Sequence, residues 1–464
     1  MWANRTARVT VLLTSTAALA MLVGCSSSSE TTTSSSSESA SHTSSTTSAD
    51  GTPASRTQHR HRSVERSKTA AAQYDYRGAL QHLEGLEGAD VDRLTTRIAA
   101  QKKDAVEWAG NAQIPHLFFH SLIVDADRAF VSPDSAQGYA DYMVTVEEFR
   151  AVLASVHDKG YVLVNPDDFT RKDAQGEMAY VPITLPPGKK PLVISEDDVS
   201  YYEYMDGDGF ATNMVIGDDG AVTNTYEDAS GTSVEGAYDM PAVVDEFVEK
   251  HPDFSYRGSK GILALTGYNG VLGYRTSDIE YGNDPDIDLD EQKKRATAVA
   301  NTLKDDGSVF ASHTWGHTNV TDASMTRLTA DTTKWKDEVA PIIGDTDLMI
   351  FPFGADLSGV APHNGPKYQL LKDDGFDFYF GIDGSTPAWG QLTGDYVRQA
   401  RINVDGLSMA AAKTNDQHVL HDFFDVDEVI DPTRAEHGFQ GPRTASSPLR
   451  RLPATRVSPR RNEP

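Results

Sequence analysis

The alternation of apolar and polar positions divides the chain into a polar head, a long body of short apolar runs and amphipathic stretches, and a polar tail. The body opens with helical spacing. Ala79, Leu80, Leu83 and Leu86, then Val91, Leu94, Ile98 and Ala105, recur mostly at threes and fours with Gly85 and Gly88 between them. That spacing predicts a two-helix appendage over residues 71–112. From residue 113 the period changes. Ile114–His120, Tyr161–Val164, Pro191–Ser195, Gly261–Leu265, Ser308–Ser312, Leu348–Phe351 and Phe378–Ile382 are apolar runs of strand length. Helices are predicted between them at 145–157, 241–250, 290–305, 324–342 and 368–372. Thr145 followed by Glu148 reads as the capping box of the first, and Gly160 as its stop. Met214–Thr223, with Gly-Asp-Asp-Gly at its centre, predicts a β-hairpin insertion. Short apolar strands alternating with helices predict an α/β fold whose parallel sheet is covered on both faces. Six or seven such units in one run favour a closed β/α barrel over residues 113–434.

Composition narrows where that barrel sits. The chain has 464 residues and is 39% apolar, below the roughly 45–50% usual for globular proteins. The deficit lies at the ends: residues 26–68 are rich in Ser and Thr and then basic, and residues beyond 433 are rich in Arg, Pro and Ser. Neither end carries enough apolar surface to offset the entropy of ordering, so a disordered tether at 25–70 and a disordered basic tail at 435–464 are expected. A net charge of −26 excludes a basic nucleic-acid footprint on the body. One cysteine excludes a disulfide framework and a Cys-rich zinc site.

That cysteine has a telling position. Arg5 and Arg8 precede the apolar run Val9–Val23, and Leu22-Val23-Gly24 leads directly into Cys25. The run is short for a membrane span of about 20 residues and fits a signal peptide over 1–24. Its end resembles the lipobox of bacterial lipoproteins, which implies acylation of Cys25 and anchoring on the extracellular face of the cell membrane. Outside the cell neither ATP nor NAD is at hand, so hydrolysis or binding is the expected class of function.

In β/α barrels the working residues sit where strands run into loops. Three strand ends carry chemistry: Asp197-Asp198, His313 with His317, and Phe351-Pro352-Phe353-Gly354. Asp-Asp pairs are common in so acidic a chain, and Asp167-Asp168 also follows a strand, so the first pair reads equally as a solvated or capping pair. Two imidazoles four residues apart at a strand end, joined by a carboxylate from another strand, make a three-ligand divalent site. Structural histidines are the alternative. A backbone N–H at the third strand end would be an oxyanion donor, or the segment is a buried turn.

With these residues together, the stretch from Ile114 to Arg434 resembles the polysaccharide deacetylases of the NodB-homology type, carbohydrate esterase family four. Val193-Ile-Ser-Glu-Asp-Asp is similar to that family's Thr-Phe-Asp-Asp-Gly motif, His313-Thr-Trp-Gly-His317 to its His-(Ser/Thr)-x-x-His motif, and Ile350-Phe-Pro-Phe-Gly to its Arg-x-Pro-Tyr-Gly motif. The resemblance implies a deformed (β/α)7 barrel. It implies a divalent metal, usually zinc and sometimes cobalt or manganese, on Asp198, His313 and His317. It further implies Asp197 as general base, the Phe353 N–H as oxyanion donor, and hydrolysis of N-acetyl groups on a cell-wall or extracellular polysaccharide by a monomer.

The chain departs from the pattern at several positions. Val199 replaces the motif's Gly, Glu196 its Phe, and Ile350 the Arg that usually orients the base. Arg401 offers a replacement charge at the catalytic site from elsewhere in the sequence, or is a plain surface or structural arginine. No late Leu-x-His supplies a catalytic acid; His418 and His421 are the nearest candidates, and His120 on the first strand reads as a packed strand residue. Tyr201, Tyr202 and Tyr204 are expected to flank the site, with the acidic loop 278–291 as solvated surface. A non-catalytic glycan-binding lipoprotein and a metal-dependent amidohydrolase for a non-glycan amide are the alternative functions.

Overall fold

The computed structural model describes residues 53–436. The expected signal peptide, Cys25, most of the tether and nearly all of the basic tail lie outside the described residues. Among the described residues, no helix is long and apolar enough to cross a membrane.

Seven strands form the barrel: β1 (His116–His120), β2 (Lys190–Asp197), β3 (Gly261–Leu265), β4 (Ser308–Ser312), β5 (Leu348–Ile350), β6 (Phe378–Ile382) and β7 (Val397–Asn403). Each pairs in parallel with the next, β7 returns to β1, and β2 meets β3, so the sheet closes on itself in chain order. This is the closed β/α barrel expected from the sequence. It is deformed where the pairing thins: β4 and β5 share the single register pair Ser312↔Met349, and β7 and β1 share only Ile402↔Leu117 and Asn403↔Phe118.

Helices α4 (Val146–Asp158), α5 (Met240–Lys250), α6 (Leu289–Asp305), α7 (Met325–Glu338) and α8 (Pro366–Asp373) follow β1 to β5 respectively. The capping box on α4 is present, with the Thr145 and Glu148 side chains each bonded to the other's backbone N–H. Between β6 and β7 the chain makes a short antiparallel arm, Gly390–Leu392, instead of a helix.

Because side chains alternate along a strand, parity decides which layer each residue joins. Leu117, Phe119, Leu192, Ile194, Leu263, Leu265, Phe310 and Ile402 point outward and pack with Phe149, Leu153, Val244 and Ala300 of the helices. Val193, Ile262, Ala264, Ala311, Ile350 and Phe380 point inward. The inner cluster is continuous with Tyr74, Val91, Leu94 and Ile98 of the N-terminal segment, so the appendage closes one end of the barrel. Burying each such Val, Leu, Ile or Phe is worth about 1.5–3 kcal/mol.

The N-terminal segment is larger than expected. Helix α1 (Pro53–Ala72) precedes α2 (Tyr76–Gln81) and α3 (Ala89–Asp104), so residues 53–70 are helix and not tether. Its sequence is rich in Arg and Ala, which favour helix, but it buries only Ser67 and Ala71 in its last turns and so lacks an apolar stripe to read. Arg60 ties it to α3 through Asp90 at 2.6 Å. After α3, Val106–Trp108 pairs with Ile183–Leu185, so the 71–112 unit is not purely helical. The predicted hairpin is a three-stranded meander, Ala211–Ile216, Val222–Glu227 and Ser233–Gly236. The predicted 324–342 helix breaks at Val339, before Pro341.

Candidate active site at the mouth of the barrel

Along β2, Ser195 and Asp197 share inward parity, and Glu196 between them faces the helices. Asp197 is buried, and Arg401 of β7 meets it across the barrel with two bonds, 2.6 Å to Oδ1 and 3.0 Å to Oδ2. Arg401 is fully buried, lies 4.2 Å over the Phe118 ring and also donates to Ser195 Oγ at 3.3 Å. Burial by itself would raise the Asp197 carboxyl; the Arg401 guanidinium, with His313 and His120, reverses this and holds it well below the usual carboxylate range.

Past the strand end the chain turns sharply. Asp198 adopts φ +64, a left-handed conformation uncommon for a residue with a Cβ, and this swings its carboxylate to the mouth. Tyr202 O–H donates to Asp198 Oδ1 at 2.6 Å and also meets Thr266 Oγ1 at 2.8 Å. Burial would raise Asp198, but His317, His313 and His120 together with Tyr202 bring it below its ordinary value.

His313 follows the end of β4 and is buried. Its Nδ1 is 2.9 Å from the carbonyl of Ile350. A carbonyl only accepts, so Nδ1 carries the proton and Nε2 keeps its lone pair toward the mouth. Burial lowers the imidazole to about 4, against the opposing pull of Asp197 and Asp198, so the ring is neutral at pH 7, as a metal ligand must be. The chain then makes two left-handed residues, Thr314 (φ 58) and His317 (φ 47). Asp331 of α7 holds this turn by accepting from the N–H groups of Trp315 (2.8 Å) and Gly316 (3.1 Å) and from Thr318 Oγ1 (2.6 Å). Glu338 takes the Trp315 indole N–H at 2.6 Å. Positive-φ residues of this kind cost of order 1–3 kcal/mol each and persist where the surroundings over-determine them.

The result is a cluster. One ligand atom each from Asp198, His313 and His317 lies within 4.8 Å of the others, with His317 Nε2 3.8 Å from Asp198 Oδ2 and His313 Nε2 3.9 Å from Asp197 Oδ2. Two imidazoles and a carboxylate suit a zinc-class divalent ion, and Tyr202 and the Ile350 carbonyl supply the outer bonds that orient such ligands. The donor set fits the implied metal.

Phe353 stands at φ 61 with its ring 4.4 Å from that of His317 and 66% exposed. Gly354, also left-handed, packs on Ile382 so closely that a Cβ would sit 2.7 Å from that side chain. The Ile350 side chain is buried in the inner cluster; only its carbonyl serves the site.

Several sequence expectations resolve differently here. His120 ends β1 in register with Asp197, is half-buried and contributes to the electrostatics of both aspartates, so it belongs to the mouth rather than to the core. His116 is the packed strand histidine, bonded to Ser195 Oγ at 2.9 Å. His421 turns its Nε2 to the carbonyls of Ala412 and Asn415, and its own carbonyl accepts from Lys159 past the C-terminal end of α4. His418 caps the turn at 419–422. Neither is brought to the mouth. Asp167 and Asp168 belong to a short capped helix, with Asp168 bonded to Ser259. Tyr201 is buried against Asn224, whereas Tyr204, Tyr202 and Tyr268 stack in a row with ring centroids 5.5 and 5.1 Å apart. The 278–291 loop is largely exposed. Asp331, Glu338 and Thr266 escaped the sequence reading, because a carboxylate or hydroxyl that braces a distant turn leaves no local pattern.

Glu196 faces the helical layer and is fully buried near Asp239, the cap residue of α5. Burial, and then Asp239, push its carboxyl well above the ordinary range.

The sequence matches no protein-family model and no curated protein. Among solved structures it is similar to the Streptococcus pyogenes deacetylase PplD in complex with acetate, with 14% identity over 68% of this chain and 99% of that one and a TM-score of 0.36. A likeness that weak carries no weight by itself; the barrel rests on the strand pairing, and the site on the geometry above.

Proposed function

We propose that the protein is a divalent-metal-dependent deacetylase that hydrolyses N-acetyl groups on amino sugars of a cell-wall or extracellular polysaccharide. One observation carries the reading: the ligand atoms of Asp198, His313 and His317 converge within 4.8 Å beside a second carboxylate outside the cluster, Asp197, which Arg401 locks in place.

Asp198, His313 Nε2 and His317 would hold the ion, zinc first and cobalt or manganese next. A divalent cation there would polarise the amide carbonyl and bring the pKa of a water toward about 7. Asp197 stays ionised and takes a proton on a carboxylate oxygen. Its depressed pKa makes it a weak base, so its task is orientation more than proton affinity. The Phe353 N–H donates to the developing oxyanion. His120 Nε2 or Nδ1, at the mouth beside both aspartates, delivers a proton to the departing amine. Tyr204, 49% exposed, and the Phe353 ring offer apolar faces to sugar rings on either side.

The chain's early segment supports a location outside the cell, with Cys25 acylated and the protein held at the extracellular face of a bacterial membrane. The acidic body favours neutral or positively charged glycans, including partly deacetylated ones. The test is acetate release from chitooligosaccharide, peptidoglycan and poly-N-acetylglucosamine, with and without chelation. Bound metal with no acetate from any glycan would point to a non-glycan amide, and failure to bind metal would point to a glycan-binding protein.

A further inference from the structure

A second group of ligand-type side chains lies at the opposite end of the barrel. His157 in the last turn of α4, His251 at the C-terminal cap of α5 and Asp253 just beyond it each offer one ligand atom, and the three atoms lie within 4.8 Å of one another. A helix that follows a strand runs back along it, so α4 and α5 end beside the strand starts. Lys189, adjoining the start of β2, reaches Asp253 Oδ2 at 2.9 Å.

The group is held in place rather than loosely gathered. The two imidazole centroids are 4.7 Å apart. Phe247 and Phe254 pack edge-on against His157 at 5.8 and 5.7 Å, and Phe247 lies 4.6 Å from His251. These apolar walls restrict the ring rotamers. The Asp253 carboxylate is divided: Oδ2 is anchored by Lys189, and Oδ1 faces His157 Nε2 at 3.1 Å. An outer partner on one oxygen, with the other directed at the imidazoles, is how a ligating carboxylate is oriented. All three residues are partly exposed, so a hydrated ion can reach them.

We propose that His157, His251 and Asp253 form a second site for a divalent transition ion, structural in role and separate from the mouth of the barrel. Two imidazole nitrogens and one carboxylate oxygen select zinc, nickel or copper over calcium or magnesium, which require mostly oxygen ligands; water completes the coordination. The site lies under the junction with the appendage. Tyr74 O–H donates to the Asp253 carbonyl at 2.6 Å, and the Arg257 N–H bonds to the Gln73 carbonyl at 2.8 Å. An ion here joins the ends of α4 and α5 to the segment on which the appendage rests.

Equilibrium dialysis of the full chain against zinc, with thermal melts, tests this in four forms: wild type, His317→Ala, His251→Ala and the double variant. The expected result is two ions, one, one and none, with zinc raising the Tm of His317→Ala but not of the double variant. His157→Gln should reproduce His251→Ala. If His317→Ala binds no zinc, or if removing His251 leaves its zinc response unchanged, the second site is overturned. Wild type binding a single ion that His251→Ala removes and His317→Ala retains would sustain this site while sinking the one at the mouth.

Discussion

Arg401 grips both carboxylate oxygens of Asp197, at 2.6 and 3.0 Å, from 204 residues away in the chain. Both partners are buried, and the pair spans the barrel interior from β2 to β7. It supplies the charge that Ile350 cannot. Arg401→Met is expected to lower turnover at least about 100-fold with zinc content unchanged. It should also destabilise the fold by about 3–5 kcal/mol, since Asp197 would be left buried without its counter-charge. Turnover, metal analysis and urea unfolding check the three parts. Arg401→Lys, which keeps the charge and loses the fork, should restore much of the stability and little of the rate.

Metal retention and turnover should separate at neighbouring positions. Asp197→Asn is expected to keep the ion and lose turnover, because Asp197 lies outside the ligand cluster. His317→Ala is expected to lose both at the mouth. Full activity in Asp197→Asn would remove it from the role of base.

His120 should matter only where the leaving group needs a proton. His120→Gln is expected to lower kcat for N-acetyl substrates by about 10²–10⁴-fold with little change in KM. Hydrolysis of an aryl acetate, whose phenolate departs without protonation, should be nearly unaffected. Equal loss on both substrates would assign His120 a structural role.

Asp347, just before β5, gives a pH signature of stability. Burial first, then the nearby Asp167, raise its carboxyl to about 6, above the unfolded value of about 3.9. The folded state therefore holds the proton more tightly, and the contribution is fully present below about pH 4 and lost as pH rises through 6. Asp347→Asn cannot ionise. Its Tm relative to wild type should climb between pH 4 and 7 and level off above; a flat difference across that range would show that Asp347 does not titrate there.

Much of this protein is local pattern. Inward and outward faces of β2 or β3 follow from an alternation of two, and the α4 cap from Thr145 and Glu148, because each depends on residues within a turn of one another. The Asp197-Asp198 and His313/His317 pairs were visible for the same reason. Helix α1 was not, since its polar length buries too little to leave a stripe, and the meander's third strand hid in Ser233–Gly236, which has no apolar alternation. Distant partners were beyond local reading altogether. That Arg401, offered by the sequence only as a spare charge, faces Asp197, and that His120 joins the mouth while His421 does not, are consequences of closing a seven-stranded sheet; that Tyr202 holds Asp198 and Asp331 braces the Trp315 turn depends on how single loops fold back on themselves. Short-range periodicity sets which side of its own strand a residue occupies; only barrel closure sets which residue of another strand it meets there, because that depends on register and strand order summed over the whole chain.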